Sequence, residues 1–252
     1  MSDAKKNPWI DCWLPRPGAQ LRLFCFPHVG GASTVYRNWA PAFDERVEVC
    51  SIELPGRGLR FGEKLHTDLK DLVFSMQVEM QDYFDKPYAF FGHSMGALTA
   101  FEWARLIRQS ALPEAKMLFI SGFGAAHLPK PLSQMLHVLP NHELLASIER
   151  LKGTPPEVLQ HRELMELLLP IIRADLQMVE TYAYEKQAPL DIPLIALGGD
   201  QDPEVEASRL KAWKDQTTNR FECKFFEGEH FYIQSARDEV LKFINQEIQS
   251  VL

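Results

Sequence analysis

Residues 88–106 read YAFFGHSMGALTAFEWARL, and this stretch decides the fold. An apolar run typical of a buried strand leads into G-x-S-x-G at Gly92, Ser94 and Gly96, and an amphipathic helical pattern follows. A serine on such a sharp strand-to-helix turn is forced into a strained backbone conformation, and small residues two positions away let the neighbouring elements approach. The turn raises the hydroxyl above the sheet, so Ser94 is the candidate nucleophile. The alternative is a glycine-bracketed turn with an inert serine.

Apolar strand patterns and helical patterns alternate on both sides of this turn. The predicted strands are residues 21–26, 47–52, 88–91, 116–121, 192–197 and 221–226, and the predicted helices are 69–84, 97–109, 207–215 and 236–249. Alternation of this kind predicts an α/β fold with a mostly parallel central sheet and helices on both faces. Together with the serine turn it predicts the α/β-hydrolase fold as a single domain over residues 1–252.

The segment of about residues 123–186 interrupts the alternation, because it contains no convincing strand. Asn141 is placed to cap a helix that runs to Lys152, and a second helical pattern contains Pro170, which should kink it. We therefore predict a helical insertion that forms a lid over the carboxyl ends of the strands, where open α/β sheets bind ligands. The alternative is that the insertion only thickens the scaffold.

A nucleophilic serine needs a general base, because a free hydroxyl is a poor nucleophile at neutral pH. In this fold the histidine follows the last strand, where His230 stands in FFEGEHFYIQ. The carboxylate that orients it should follow the strand before, and GGDQDPEV offers Asp200 and Asp202. The spacing G-x-x-D-x-x-V selects Asp202, while Asp200 could instead bind backbone N–H groups of the turn. The predicted triad is Ser94, Asp202 and His230.

Two backbone N–H groups are expected to form an oxyanion hole. One is that of Met95, the residue after the nucleophile. The other should come from the glycine-rich loop in FCFPHVGGAS, residues 24–33, and Val29 is the predicted donor. The alternative is a tight β-to-α turn with no catalytic part. Neither G-x-G-x-x-G nor G-x-x-x-x-G-K is present there, and we expect no cofactor and no metal site.

Composition narrows the possible partners. The net charge of −7 provides no electrostatic attraction to nucleic acid or to an anionic membrane, so we expect neither as a partner. The four cysteines are widely spread and predict buried free thiols in a reducing compartment. We find no signal-peptide pattern and no membrane-spanning run, and we expect a cytoplasmic protein. No coiled-coil pattern appears, and we predict a monomer.

The chain resembles a known family, the type II thioesterases of nonribosomal peptide and polyketide synthesis. The resemblance covers nearly the whole chain. It rests on FCFPHVGGAS, IELPGRGLR, FGHSMGALTAFEWAR, LGGDQDPEV, FEGEHFYI and, most specifically, residues 153–184, GTPPEVLQHRELMELLLPIIRADLQMVETYAY. It implies that acyl or peptidyl carrier protein domains are the partners and that acyl groups are cleaved from their phosphopantetheine arms. It also implies an editing role.

Arg57 and Arg60 lie in the PGRGLR part of this resemblance. They could receive a carrier or its phosphate, because guanidinium groups suit phosphate geometry. The interpretation that we favour is a salt bridge within the loop or a solvated charge.

Three other functions remain open on the sequence. A carboxylesterase or lipase for small esters would use the same triad. A non-catalytic module with a hydrolase fold could bind a carrier without turnover, although all three triad residues are present. An acyltransferase would replace water by an alcohol or amine, and the pocket rather than the triad decides between these acceptors.

Overall fold

The computed structural model describes residues 7–130, 135–151 and 153–252. Within them, a sheet of seven strands has the order β1-β3-β2-β4-β5-β6-β7. Strand β1 pairs antiparallel with β3, and all the other neighbours are parallel. The strands are β1 (Ile10–Asp11), β2 (Leu21–Phe26), β3 (Val47–Ile52), β4 (Tyr88–His93), β5 (Leu118–Ser121), β6 (Leu194–Gly199) and β7 (Phe221–Phe226).

The predicted α/β class with a mostly parallel sheet is confirmed. The predicted bounds of β2, β3 and β7 agree with the structure to the residue, whereas β5 begins two residues later than predicted and β6 is displaced by two residues. The edge strand β1 was not predicted, because two residues are too few for an alternating pattern.

Helices cover both faces of the sheet. They are α1 (Leu69–Glu79), α2 (Met95–Arg108), α3 (Asn141–Leu151), α4 (Pro156–Gln160), α5 (Arg162–Thr181), α6 (Ala207–Lys211), α7 (Tyr232–Ser235) and α8 (Arg237–Gln249). Successive side chains of a strand point to opposite faces. Phe24 of β2 accordingly packs in one apolar cluster with residues of α1 and α2, and Cys25 packs in another with residues of α8. The helices predicted over 69–84 and 207–215 each end in a 3-10 turn instead of continuing as α-helix.

The segment between β5 and β6 contains the helices α3, α4 and α5, joined by loops, and no strand among the residues that the structure describes. Helices α3, α4 and α5 share a small apolar cluster that includes Leu144, Ile148 and Leu169. Helix α3 begins at Asn141 itself, whose side-chain oxygen accepts a hydrogen bond from Arg173 at 2.6 Å, so the prediction of Asn141 as the cap is wrong. The predicted end of this helix at Lys152 lies outside the described residues. Helix α5 continues through Pro170 without interruption.

Among the described residues, no helix combines the length and the apolar character that crossing a bilayer requires.

Candidate active site

Ser94 sits at the bend between β4 and α2 in a backbone conformation that side chains rarely adopt. Its φ is 53° and its ψ is −119°, and among the described residues it alone has positive φ without being glycine. The bend is held in place because the Ser94 N–H donates to the Ser121 carbonyl at 2.8 Å. A strained residue fixed at the end of a central strand is the arrangement that presents a nucleophile.

The two glycines of the motif are required by close packing of backbone on backbone. A Cβ on Gly92 would lie 2.1 Å from the Gly96 carbonyl oxygen, and a Cβ on Gly96 would lie 2.1 Å from the Phe26 carbonyl oxygen. These contacts involve main chain that cannot move aside without shifting β2 or α2. This geometry explains why only small residues fit at these two positions, as the sequence pattern predicts.

His230 and Asp202 come together on the loops that follow β7 and β6. The Nδ1 atom of His230 lies 2.8 Å from Oδ2 of Asp202, whose side chain is 1% exposed. The other carboxylate oxygen of Asp202 accepts from the Glu204 N–H at 2.8 Å. Both oxygens are thus engaged, so the carboxylate is fixed in the position from which it contacts the imidazole.

Asp200, the other candidate carboxylate, serves a different purpose. It is exposed, and its Oδ1 accepts a hydrogen bond from the Gly228 N–H at 3.0 Å. The Asp200 N–H itself donates to the Phe226 carbonyl at 2.9 Å. Asp200 therefore braces the loop that carries His230, which is the turn-binding role considered for it, and Asp202 is the carboxylate that reaches the ring.

Ser94 and His230 line the same cavity. Among the hydrogen bonds of the described residues, none joins the serine hydroxyl to the imidazole. The His230 ring is 8% exposed and its Nδ1 is engaged by Asp202, which leaves Nε2 as the nitrogen available to a reacting group. Nucleophile and base are often separated before substrate binds and approach in the complex.

Two further histidines lie beside the site, and neither was among the predicted site residues. His93 is fully buried, and its Nδ1 lies 2.8 Å from the Ser121 hydroxyl. Burial lowers the pKa of His93 well below its usual value, and the charge of His230 lowers it further. His28 lines the cavity, and burial also lowers its pKa. Both rings are thus held neutral, so they place no fixed positive charge beside His230.

The glycine-rich loop after β2 is clamped by a buried ion pair. Asp175 of α5 binds Arg57 through two hydrogen bonds, of 2.8 and 2.7 Å. The same carboxylate accepts from the Gly30 N–H at 2.8 Å, and Arg57 donates to the Gly31 carbonyl at 2.9 Å. Arg57 is 5% exposed and Asp175 is fully buried. The pair therefore fixes the loop backbone through both a donor and an acceptor and joins it to α5.

Arg57 and Arg60 do not present free guanidinium groups to a phosphate. Arg60 is 6% exposed, pairs with Glu63 at 2.7 Å and lies over the Trp9 ring. At Arg60 the structure shows the salt bridge within the loop that we favoured from the sequence. Arg57 instead pairs with Asp175 of α5, outside the loop. The sequence could not identify the partner of Arg57, because Asp175 is 118 residues away along the chain.

A cavity of about 610 Å³ lies between the loops at the carboxyl ends of the strands and the helices α3, α4 and α5. Its walls are mainly apolar. On the sheet side they include Val29, Phe123 and Phe231, and on the helical side Ile148, Val158, Leu168, Ile172 and Leu176. Deep, mostly apolar cavities with a few polar groups are typical of small-molecule sites. Here those polar groups include Ser94 and His230.

A strained serine, a histidine held by a buried carboxylate and an apolar cavity over a mostly parallel sheet are the arrangement typical of the α/β-hydrolase class. Comparison with known proteins is more specific. A family model described as "Thioesterase domain" matches residues 21–248. The chain belongs to the thioesterase family and is a thioester hydrolase.

Three relatives show the range of the match. "Gramicidin S biosynthesis protein GrsT" of Aneurinibacillus migulanus is 38% identical over 246 residues, covering 98% of this chain and 96% of that protein. "Linear gramicidin dehydrogenase LgrE" of Brevibacillus parabrevis is 36% identical, covering 95% and 94%. The solved structure of the type II thioesterase BorB from the borrelidin biosynthetic cluster superimposes with a TM-score of 0.86 at 35% identity, covering 94% and 96%.

Proposed function

We propose that this protein hydrolyses acyl thioesters on the phosphopantetheine arms of carrier protein domains, and that it edits a nonribosomal peptide or polyketide synthase in the cytoplasm. The observation that carries the proposal is the 2.8 Å contact of His230 with Asp202 beside a cavity that Ser94 also lines. GrsT, which is named for gramicidin S biosynthesis, and the type II thioesterase BorB support the pathway class. The G-x-G-x-x-G pattern of dinucleotide sites is absent from the loop after β2, so a dehydrogenase is disfavoured.

In the proposed mechanism the His230 Nε2 takes the proton of the Ser94 hydroxyl as its oxygen attacks the thioester carbonyl. The tetrahedral intermediate collapses, the carbon–sulfur bond breaks, and the imidazolium returns the proton to the departing thiolate. His230 then takes a proton from water, which attacks the acyl-serine ester, and returns it to Ser94 as the acid leaves. Asp202 holds the imidazole tautomer and stabilises the cation. No metal or cofactor enters these steps.

The oxyanion hole is proposed to consist of the N–H groups of Met95 and Val29. Met95 is the first residue of α2, where backbone donors have no partner within the helix. In the loop after β2, the Gly30 N–H is used by Asp175 and the Gly31 N–H by the His28 carbonyl at 2.9 Å. Among the described residues the Val29 N–H makes no hydrogen bond, so it is available as the second group, although the N–H groups of His28 and Ala32 in the same turn are equally without a partner.

The helical segment 123–186 is proposed to act as a lid within a single domain. Its helices supply most of the apolar wall of the cavity that Ser94 lines, so a substrate bound at the serine would lie between them and the sheet. An acyl chain would pack against this wall. We propose a monomer, with a carrier protein docking where the cavity opens.

The proposed function is tested by comparing rates on three substrates with the same acyl group: an acyl-carrier protein, acyl-coenzyme A and a simple ester. We expect the highest kcat/KM on the carrier, because the partner and arm both contribute binding. Faster hydrolysis of the simple ester would favour the esterase or lipase alternative. Transfer to added alcohol or amine in preference to water would favour the acyltransferase.

The wall formed by α5 provides a specificity test with a matched control. Leu168 lines the cavity, whereas its neighbour Leu167 is 53% exposed. We expect Leu168→Trp to lower kcat/KM for an octanoyl carrier by roughly tenfold or more relative to an acetyl carrier, because the indole fills the space of the chain. Leu167→Trp should leave the ratio unchanged. Equal ratios in both variants would show that this wall does not hold the acyl chain.

The clamp formed by Arg57 and Asp175 provides a test of loop positioning. We expect Arg57→Lys to lower kcat by roughly 10- to 100-fold with little change in KM, because a lysine cannot replace the bidentate pair and the oxyanion loop loses its fixed position. Circular dichroism and thermal melting check that the variant folds. A rise in KM with unchanged kcat would contradict a role for the clamp in placing the donor.

A further inference from the structure

Two cysteines lie side by side at the β1 edge of the sheet. Cys12 follows the last residue of β1, Cys50 lies in β3, and their Sγ atoms are 3.2 Å apart. All four cysteines are free thiols. Cys25 and Cys50 are buried, whereas Cys12 and Cys223 are half-buried, so the predicted burial holds for two of the four.

The strand pairing places Cys12 and Cys50 opposite each other. The register joins Ile10 to Ile52 and Asp11 to Ser51, so the next pair is Cys12 with Cys50. The Glu53 N–H donates to the Trp9 carbonyl at 2.9 Å, which makes that pair a hydrogen-bonded one. Because hydrogen-bonded and non-hydrogen-bonded pairs alternate, Cys12 and Cys50 form a non-hydrogen-bonded pair, in which side chains come closest.

This position suits a disulfide. Opposite residues of a non-hydrogen-bonded pair have Cα atoms about 4.5 Å apart, within the range of about 4.4–6.8 Å that disulfides span. The two sulfur atoms need to approach by only about 1.2 Å to reach bonding distance from their 3.2 Å separation. Rotation of the side chains can supply such a movement without displacing either strand.

The thiols of this pair differ in a way that makes one of them the attacking group. The hydrogen bond with Cys50 lowers the pKa of Cys12, and the charge of Arg22 lowers it further, against the effect of burial. The pKa of Cys50 is raised well above its usual value, first by the hydrogen bond with Cys12. Burial raises the pKa of Cys25 well above its usual value and that of Cys223 to about 11. Cys12 is therefore the most readily ionised thiol, and it is half-buried where Cys50 is buried.

A metal ion is a less suitable occupant of the same place. The carboxylate of Glu48 lies near both sulfur atoms and completes a possible set of three ligands. Its oxygens, however, already accept from the Arg16 N–H at 2.8 Å and from Arg22 Nε at 3.0 Å. A cation bound there would displace these contacts and lie beside a guanidinium group.

We propose that Cys12 and Cys50 are a reversible oxidation site that forms an intramolecular disulfide with a low-molecular-weight disulfide as oxidant. The Cys12 thiolate attacks the oxidant, breaks its sulfur–sulfur bond and releases one thiolate, which leaves a mixed disulfide on Cys12. The Cys50 thiol gives up its proton, its sulfur attacks Cys12, and the second thiol of the oxidant departs. Two cysteine thiols are oxidised, and one small disulfide is reduced to two thiols.

The bond would fasten the N-terminal edge strand to β3. It would close a loop of the unfolded chain between residues 12 and 50, and loop closure stabilises the folded state. We expect Tm to rise by roughly 5–10 °C on oxidation, as for other domains of this size. The pair is separated from the proposed chemistry, because β2 lies between β3, which carries Cys50, and the strand that leads to Ser94.

The test incubates the full chain with oxidised glutathione, alkylates the remaining thiols with N-ethylmaleimide and maps the peptides by mass spectrometry. We expect one cross-link, between Cys12 and Cys50, in the wild type and in the control Cys223→Ser, with the rise in Tm reversed by dithiothreitol. Cys50→Ser should hold glutathione on Cys12 and show no cross-link.

Complete alkylation of Cys12 and Cys50 after exposure to the oxidant would overturn the proposal. Glutathione that stays on Cys12 of the wild type, with Cys50 still a thiol, would overturn it as well. Zinc retained at one equivalent by the wild type and lost in Cys50→Ser would favour the metal instead. Thioesterase activity of the reduced protein is measured in parallel, so failure of this proposal is distinguished from failure of the proposed function.

Discussion

Replacing Ser94 by alanine is expected to lower kcat on an acyl-carrier thioester by about 10³-fold or more. The reason is that the acyl-enzyme cannot form, and water must attack the thioester without covalent catalysis. The loss should appear in kcat, with KM little changed, because the cavity walls and the carrier contacts remain. Liquid chromatography with mass spectrometry of the released acid measures the rate.

Ser94→Ala is expected to remain folded, because alanine adds no atoms at the bend. Its control is Ser110→Ala. Ser110 lies just beyond the end of α2, and its hydroxyl donates to the Ile107 carbonyl. Ser110→Ala should retain activity within about twofold, as expected for a surface change. Wild-type rates in Ser94→Ala would show that another group is the nucleophile.

The second large effect is expected from the two neighbouring aspartates. Asp202→Asn should lower kcat by about 10³- to 10⁴-fold, because an amide can hold the imidazole in the wrong tautomer and cannot stabilise its cation. Asp200→Asn keeps an acceptor oxygen for the Gly228 N–H, so its rate should change by only a few-fold at most. The two variants differ by the same chemical change and stand two residues apart, which makes each the control for the other.

A result in which Asp200→Asn is the inactive variant would contradict the assignment of Asp202. Both variants are first checked for equal Tm, because Asp202 is nearly fully buried while Asp200 is exposed. The rates are measured on one acyl-carrier substrate at saturating concentration so that the comparison concerns kcat.

The central strands could be predicted from the sequence because they are buried on both faces. Strand β4 is buried at all six positions and opens with the continuous apolar run YAFF, which stands out before the glycine of the turn. The edge strand β1 could not be predicted, because its two residues carry no pattern and its pairing depends on β3 being in place. Local signals therefore located the six longer strands, including the edge strand β7, and missed the two-residue strand β1.

The residues of the candidate site also differed in whether the sequence could predict them. Ser94 and His230 are marked by motif and chain order, and the spacing in GGDQDPEV was enough to choose Asp202, which the structure places against His230. The ion pair of Arg57 with Asp175 could not be predicted. It joins a loop to a helix far along the chain, and no local sequence pattern indicates such a tertiary ion pair. The neutral state of His93 likewise depends on burial that only the folded chain shows.

The central claim is that His230 activates Ser94 as the nucleophile, and labelling with a fluorophosphonate tests it most directly. We expect one equivalent of phosphonyl group on the peptide that contains Ser94, with thioesterase activity falling in proportion, and almost no labelling of His230→Ala. Full activity after prolonged treatment, or a label on a different residue, would contradict the account.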